Sequence, residues 1–151
     1  MITLDRYTDL TDRVGEELGT SHWLTIDQPL IDRFAEVTGD HMWVHTDAAR
    51  AARELPDGRT IAHGLLTFSL IPQLSHQILD IPDPGLTFSY GANRLRYIAP
   101  VRCGDRIRLR STLLAADRDG NRTYLTFEYR VEIEGHAKPA LVAEQIVLTQ
   151  N

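Results

Sequence analysis

Residues 64–79 read Gly-Leu-Leu-Thr-Phe-Ser-Leu-Ile-Pro-Gln-Leu-Ser-His-Gln-Ile-Leu, the most apolar helix candidate of the chain. As a helix it has almost no polar face, so it must be enclosed on most sides. Pro72, inside the segment, predicts a kink or a weakened backbone hydrogen bond. Polar residues such as Gln73 and His76 interrupt the apolar run, which indicates a buried helix rather than a membrane span.

Beyond this helix the sequence changes to the two-residue period of half-buried strands. Apolar and polar residues alternate over 125–133, which reads Leu-Thr-Phe-Glu-Tyr-Arg-Val-Glu-Ile. Further strands are predicted over 87–97, from Ile107, and over 141–148. An antiparallel sheet with one apolar face can bury a wholly apolar helix by wrapping around it. The predicted fold class is therefore α+β, an antiparallel β-sheet wrapped around a central apolar α-helix.

The segment before the central helix is predicted to be mainly helical. Residues 6–18 are predicted to form a short helix and 21–26 a strand. Asp27 is typical of a residue that caps a helix start, and Gly39 of one that ends a helix in the left-handed conformation. Thr46 is predicted to cap another short helix.

Composition and charge narrow the class of protein. The chain has 151 residues, of which 42% are hydrophobic and 25% charged, so residues 1–151 are predicted to form a single globular domain. A net charge of −5 disfavours nucleic-acid binding. The single cysteine, Cys103, excludes an intrachain disulfide and suits a reducing cytosol. The first residues lack the pattern of a secretory signal, so we expect a cytoplasmic protein that binds no membrane.

The most informative chemistry lies in residues 34–45, Phe-Ala-Glu-Val-Thr-Gly-Asp-His-Met-Trp-Val-His. Asp40 and His45 follow a predicted helix end, where a turn can bring both side chains to one point. A histidine beside a carboxylate is suited to moving protons near neutral pH. On spacing alone, a turn-capping aspartate and a packed histidine are the simpler interpretation. His41 and His45 stand at a metal-binding spacing, but Gly39 ends the helix that such a pair needs, so no metal is predicted.

A family resemblance favours the catalytic interpretation. Phe34, Thr38-Gly39-Asp40, Val44 and His45 resemble the signature of the MaoC-like dehydratases and (R)-specific enoyl-CoA hydratases. Met42-Trp43 stands where that signature has Asn-Pro, which is a departure. The resemblance implies a hot-dog fold and identifies Asp40 and His45 as the catalytic pair.

A second segment, Ile61-Ala62-His63-Gly64, resembles the family's stretch at the start of the central helix. Backbone N–H groups at a helix N-terminus are unpaired and carry partial positive charge. A thioester oxygen aimed at them would be stabilised as in an oxyanion hole, and Gly64 is the predicted donor. All four residues are predicted to bind substrate.

A third segment, residues 88–97, resembles a family strand that lies near the site. The resemblance implies substrate contacts at Ser89, Tyr90 and Asn93. Coenzyme A phosphates are candidate partners for four arginines, namely Arg94, Arg96, Arg102 and Arg106. Ordinary surface charge explains these arginines equally well.

The resemblance implies a hydro-lyase of fatty acid metabolism that needs no cofactor. It would add water to a trans-2-enoyl thioester of coenzyme A or acyl carrier protein and give the (R)-3-hydroxyacyl thioester. A homodimer is expected, because a lone unit leaves sheet edges exposed. Two alternatives remain: a hot-dog acyl-CoA thioesterase, and a non-catalytic acyl-CoA-binding subunit.

Overall fold

Eight strands and five α-helices follow one another in the computed structural model, which describes residues 1–150. The strands are β1 (Ile2–Thr3), β2 (Glu17–Thr20), β3 (Leu24–Thr25), β4 (Leu79–Asp80), β5 (Leu86–Tyr97), β6 (Arg106–Asp119), β7 (Arg122–Ile133) and β8 (Leu141–Gln150). The helices are α1 (Gln28–Thr38), α2 (Trp43–Thr46), α3 (Ala48–Glu54), α4 (Gly64–Ser69) and α5 (Ile71–Ser75). A 3₁₀-helix, Tyr7–Arg13, precedes β2.

Six of the strands form one antiparallel sheet in the order β2-β6-β7-β8-β5, with β3 also pairing with β6. The alternation predicted for 125–133 is confirmed, because every second residue of β7 is buried. These side chains meet the buried apolar residues of α4 and α5, including Leu66, Ile71 and Leu74. The sheet thus wraps around the helical segment, and the predicted α+β hot-dog fold is confirmed.

The central helical segment is shorter and more broken than predicted. The expected helix over 64–79 is divided at Leu70 into α4 and α5, and the second piece ends at Ser75. Pro72 lacks the N–H that a continuous helix would use, and it occupies the second position of α5, where no such donor is needed. Among residues 1–150, no helix combines the length and apolarity that a membrane crossing requires.

Three local predictions before the central segment were wrong. The predicted helix over 6–18 is only the 3₁₀-helix, because Glu17–Thr20 pairs with β6 instead. The predicted strand over 21–26 shrinks to Leu24–Thr25. Asp47 rather than Thr46 caps α3, since its carboxylate accepts the Arg50 N–H at 2.8 Å.

The two ends of α1 form as predicted. The Asp27 carboxylate accepts the Leu30 N–H at 3.0 Å, which caps the first turn. Gly39 adopts the left-handed conformation, with φ of 73°, and its N–H donates to the Ala35 carbonyl at 2.8 Å. A side chain at this position would be strained, so glycine sets the direction in which the chain leaves the helix.

The outer face of the sheet carries an ion-pair network between β6 and β7. Glu132 accepts hydrogen bonds from Arg108 at 2.7 Å and from Arg110 at 3.0 Å. Arg110 also reaches Glu17 on β2 at 2.7 Å. Burial acts to raise the pKa of Glu132, but the hydrogen bonds from the two arginines outweigh it and hold that pKa below its usual value.

Candidate active site

The end of α1, the turn that follows it and the start of α4 enclose a cavity of about 660 Å³. Its polar wall contains Thr38, Asp40, His45 and His63. Much of the opposite wall comes from the segment Tyr97–Val101, which follows β5. A largely apolar cavity with a few convergent polar groups is the usual form of a small-molecule site.

Asp40 stands immediately after the left-handed Gly39. Its N–H donates to the Thr38 hydroxyl at 3.3 Å, and its carboxylate accepts the Met42 N–H at 3.3 Å. The side chain is 54% exposed, so the carboxylate keeps lone pairs free toward the cavity that it lines. Asp40 is therefore available to hold a water or a polar substrate group.

His45 has a fixed proton arrangement. Its Nδ1 lies 2.5 Å from the Ile61 carbonyl oxygen. Because a carbonyl oxygen only accepts, Nδ1 must carry a hydrogen, and the neutral ring has its lone pair on Nε2. The predicted turn over 40–45 was partly wrong, because α2 begins at Trp43 and His45 lies within it.

His63 contacts both predicted catalytic residues, Asp40 and His45. Its side chain is only 3% exposed, and its ring stacks on that of His45 with centroids 3.7 Å apart and planes inclined by 27°. Its Nε2 lies 2.9 Å from the Asp40 carbonyl oxygen, which again requires a hydrogen on that nitrogen. The other ring nitrogen, Nδ1, is buried and has no hydrogen-bond partner.

Gly64 is the first residue of α4 and lines the cavity. His63, at the N-cap position, makes no side-chain capping bond to this turn. The ring of Tyr97 lies against Gly64, so that a Cβ atom there would come within 2.9 Å of Tyr97 Cε1. Burial raises the pKa of the Tyr97 hydroxyl, which keeps it neutral at ordinary pH. Glycine therefore permits both a close ring and an accessible N–H.

Asp40, His45 and His63 also form a group that could bind a metal ion. Each offers one ligand atom, and these atoms lie within 4.8 Å of one another. Two of the ring nitrogens already donate to carbonyl oxygens, and His63 Nδ1 is buried. The free ligands are then the Asp40 carboxylate and His45 Nε2, one fewer than the three protein ligands of a catalytic zinc site. The same two groups suit a water molecule.

The predicted substrate residues separate into two sets. Ile61, Ala62, His63 and Gly64 all line the cavity together with Asp40 and His45, the predicted catalytic pair. The other three lie on the exposed strand β5 and do not line it. Ser89 accepts from Gln145 at 2.8 Å, Asn93 donates to Glu144 at 2.7 Å, and Tyr90 stacks edge-on to Tyr124. Their role in substrate binding stays a prediction.

Of the four arginines considered for coenzyme A phosphates, Arg94 and Arg96 line one surface pocket, which Arg102 and Arg106 do not line. Arg102 pairs with Asp57, and Arg106 with Glu134 at 2.9 Å. Arg96 donates to the carbonyl of its neighbour Leu95 at 2.8 Å. This arrangement favours the surface-charge interpretation over a single phosphate site.

The Met42-Trp43 departure leaves the turn that contains Asp40 in place. Trp43 starts α2, and the Arg50 guanidinium lies 4.1 Å from the centre of its ring. Neither Met42 nor Trp43 lines the cavity. The replacement of Asn-Pro by Met42-Trp43 therefore affects contacts with α3, and Asp40 and His45 still line the cavity.

Two residues near the site had no signal in the sequence. Gln28 donates to the His45 carbonyl at 2.8 Å and accepts from Thr60 at 2.5 Å, so it ties α1 to α2 and to the segment before α4. Tyr97 covers Gly64. Both residues make contacts with residues far away in sequence, so no pattern within a short segment could predict them.

Comparison with known sequences gives one family. The family described as "MaoC like domain" matches residues 9–134. The 3-hydroxyacyl-thioester dehydratase Z of Mycobacterium tuberculosis is 45% identical over 148 residues, which cover 97% of each chain. Nodulation protein N of Rhizobium leguminosarum bv. viciae is 41% identical over 144 residues, covering 94% of this chain and 89% of that protein.

Comparison with solved structures agrees with the sequence comparisons. The unliganded R-hydratase PhaJ1 from Pseudomonas aeruginosa superimposes with a TM-score of 0.72 at 28% identity. The match covers 91% of this chain and 82% of that one.

Proposed function

This chain belongs to the MaoC-like domain family, and we propose that it is a hydro-lyase that adds water to trans-2-enoyl thioesters and removes it from (R)-3-hydroxyacyl thioesters. The observation that carries the proposal is the shared cavity of Asp40 and His45, with His45 Nε2 left as the free nitrogen. The predicted enzyme class agrees with relatives named as a dehydratase and an R-hydratase.

In the proposed reaction, the Asp40 carboxylate and His45 Nε2 hold one water between them. As the water oxygen bonds to the β-carbon, one of its protons passes to this pair. A proton then passes from the pair to the α-carbon on the same face, so the elements of one water are added and the pair is restored. Proton transfer by such a positioned group typically contributes about 10²–10⁴-fold to the rate.

The Gly64 N–H is the proposed donor to the thioester oxygen, on which negative charge grows while the β-carbon is attacked. The free first turn of α4 and the absence of a side chain at Gly64 support this role. The apolar wall around Leu65 and Val101 suits the acyl chain. Coenzyme A and acyl carrier protein both remain candidate carriers, and the reaction requires no cofactor.

The test is the loss of enoyl-thioester absorbance with crotonyl-CoA and longer enoyl-CoA substrates. We expect Asp40→Asn and His45→Gln each to lower kcat by roughly 10²–10⁴-fold, because each removes a group that handles the proton. His41→Gln is the matched control, since its exposed imidazole lies beside Asp40 but outside the cavity. Near wild-type activity in either Asp40→Asn or His45→Gln would refute the assignment.

The same assay separates the two alternatives. A thioesterase would release free coenzyme A, which a thiol-reactive dye detects, whereas hydration leaves the thioester intact. A binding subunit would bind acyl-CoA with no turnover of either kind. The pairing of His45 with Asp40 favours hydration, because a histidine with a free Nε2 can both take and return a proton.

A homodimer joined along β5 is part of the proposal. β5 is the last strand of the sheet order, and all its residues except Thr87 and Leu95 are exposed. Phe88, Tyr90 and Tyr97 present apolar surface there, and a second copy would cover it. The cytoplasmic location and the single domain over residues 1–151 stay predictions.

A further inference from the structure

We propose that His63 is a positioning residue that aligns Asp40 and His45 for the reaction, an inference that rests on the proposed function. His63 contacts both members of the pair at once, through a hydrogen bond to Asp40 and a ring stack on His45. It was predicted only as one of several residues that bind substrate. The geometry assigns it a different task.

The first contact fixes the backbone of Asp40. His63 Nε2–H donates to the Asp40 carbonyl at 2.9 Å, and the two residues are 23 positions apart in sequence. The local bonds of the turn, from Asp40 N–H and to its carboxylate, are both 3.3 Å long and therefore weak. The hydrogen bond from His63 is shorter than either local bond, and it is therefore the main restraint on the backbone position of Asp40.

The second contact fixes the plane of the His45 ring. The Ile61 carbonyl holds Nδ1 of that ring by a single hydrogen bond, which rotation of the ring about its Cβ–Cγ bond would break. The face of His63, 3.7 Å away, blocks that rotation. Together the two restraints set the direction of Nε2, which must point at the water that Asp40 also holds.

His63 does not itself carry the proton. Its Nε2 is committed as a donor to a carbonyl, and its Nδ1 is buried away from solvent. Nε2 also lies 3.9 Å from the Asp40 carboxylate, but its hydrogen is committed to the Asp40 carbonyl, and only 3% of the side chain is exposed. The ring therefore acts through Asp40 and His45 rather than on substrate.

The orphaned Nδ1 distinguishes this role from ordinary packing. A buried acceptor without a partner destabilises a fold, and an apolar ring of similar shape would avoid that loss. The Asp40 carbonyl, in contrast, belongs to an exposed residue and can find water if its donor is lost. Histidine at this position is thus worse for stability than phenylalanine, although it provides the donor that Asp40 uses.

Two variants separate the two contacts. His63→Phe keeps a ring to stack on His45 but removes the donor, whereas His63→Gln keeps a donor at the position of Nε2 and removes the ring. We expect each to lower kcat for crotonyl-CoA by roughly 10–100-fold with KM changed less than threefold, because a misplaced catalytic group slows chemistry more than binding. His63→Phe should also unfold at the same temperature as wild type or higher.

His136→Phe and His136→Gln, in the exposed turn between β7 and β8, should leave kcat unchanged. A kcat in either His63 variant within twofold of wild type overturns the positioning role, as does a loss of kcat that is matched by an equal rise in KM. If His63→Phe fails to fold, His63→Gln decides by the same criteria.

A second measurement keeps this inference separate from the proposed function. If the wild-type protein fails to hydrate any enoyl thioester, the proposed function is wrong, and nitrogen-15 spectra of the His45 ring decide the positioning role alone. Wild type should show one ring species with hydrogen on Nδ1, and His63→Gln a mixture of ring states. An unchanged His45 spectrum in His63→Gln overturns the inference.

Discussion

β7 and β5 have the same length and the same neighbour, yet the chain buries them in opposite ways. Each is a strand of 12 residues, and each pairs with β8 along its length. Every second side chain of β7 is buried, whereas nearly every side chain of β5 is exposed. β7 has a second strand, β6, on its other side, and β5 ends the sheet.

Pairing within a sheet therefore does not by itself bury the side chains of a strand. The side chains of β7 face the central helical segment, which supplies the apolar contacts of Leu125, Phe127 and Val131. β5 reaches that segment mainly at its end, where Tyr97 lies over Gly64. The exposed part of β5 is therefore the surface that the proposed homodimer would cover.

The largest expected effect comes from removing a ring in each strand. Phe127 is fully buried and Phe88 is 46% exposed. We expect Phe127→Ala to lower the free energy of unfolding by about 3–5 kcal/mol, through lost burial and a cavity. At protein concentrations too low for association, Phe88→Ala should cost under about 1 kcal/mol, because half of that ring contacts water in the single chain. Urea titrations measure both, and equal losses would break the contrast between the strands.

The next effect concerns association along β5. A charge at Phe88 would have to be buried against a second copy without a partner. We therefore expect Phe88→Glu to raise the dissociation constant of the dimer by roughly tenfold or more, equivalent to about 1.4 kcal/mol. Sedimentation velocity over a concentration series measures this shift.

Leu114→Glu supplies the matched control for association, because Leu114 is similarly exposed, at 41%, but lies on β6. It should leave the dissociation constant unchanged. A monomeric wild type, or a Phe88→Glu variant that associates as strongly as wild type, would contradict the β5 interface.

The smallest effect lies on the outer face of β7. The pKa of Glu132 is lower in the folded protein than in the unfolded chain, so this group stabilises the fold above its unfolded pKa and the stabilisation disappears as pH falls through the folded pKa. We expect Glu132→Gln to cost about 1 kcal/mol at pH 7 and the difference to vanish in acid.

Glu144, on β8, provides the comparison for that prediction. It accepts from the neutral amide of Asn93, so Glu144→Gln should change stability by less than Glu132→Gln. Thermal unfolding between pH 3 and pH 7 measures both variants. A Glu132→Gln effect that persists unchanged in acid would show that the ion pairs are not its cause.

The sheet could be predicted because its signal is local. The alternation along 125–133 arises because one face of that strand is covered. Asp27 caps the start of α1 and Gly39 its end, each through a hydrogen bond to a residue three or four positions away. The helix over 64–79 was predicted too long, since apolar content shows that a segment is buried but does not show that it is divided at Leu70. Where each helix begins and ends depends on its backbone hydrogen bonds, which amino-acid composition does not predict.

The site was predictable in its members but not in their arrangement. Asp40, His45 and Gly64 were found through the family resemblance, and all three line one cavity. The stack of His63 on His45 joins two separate segments, and no periodicity within either segment predicts it. Gln28 is a similar case, because its bond to the His45 carbonyl crosses from α1 to α2.

The divided central segment has a consequence for synthesis. α4 and α5 are six and five residues long, too short to be stable as isolated helices. Their apolar surface is covered by β6, β7 and β8, all of which follow in the chain. At roughly 5–20 residues per second, a ribosome leaves this segment without its sheet for several seconds. The nascent chain therefore presents its most apolar stretch to chaperones before the strands that enclose it exist.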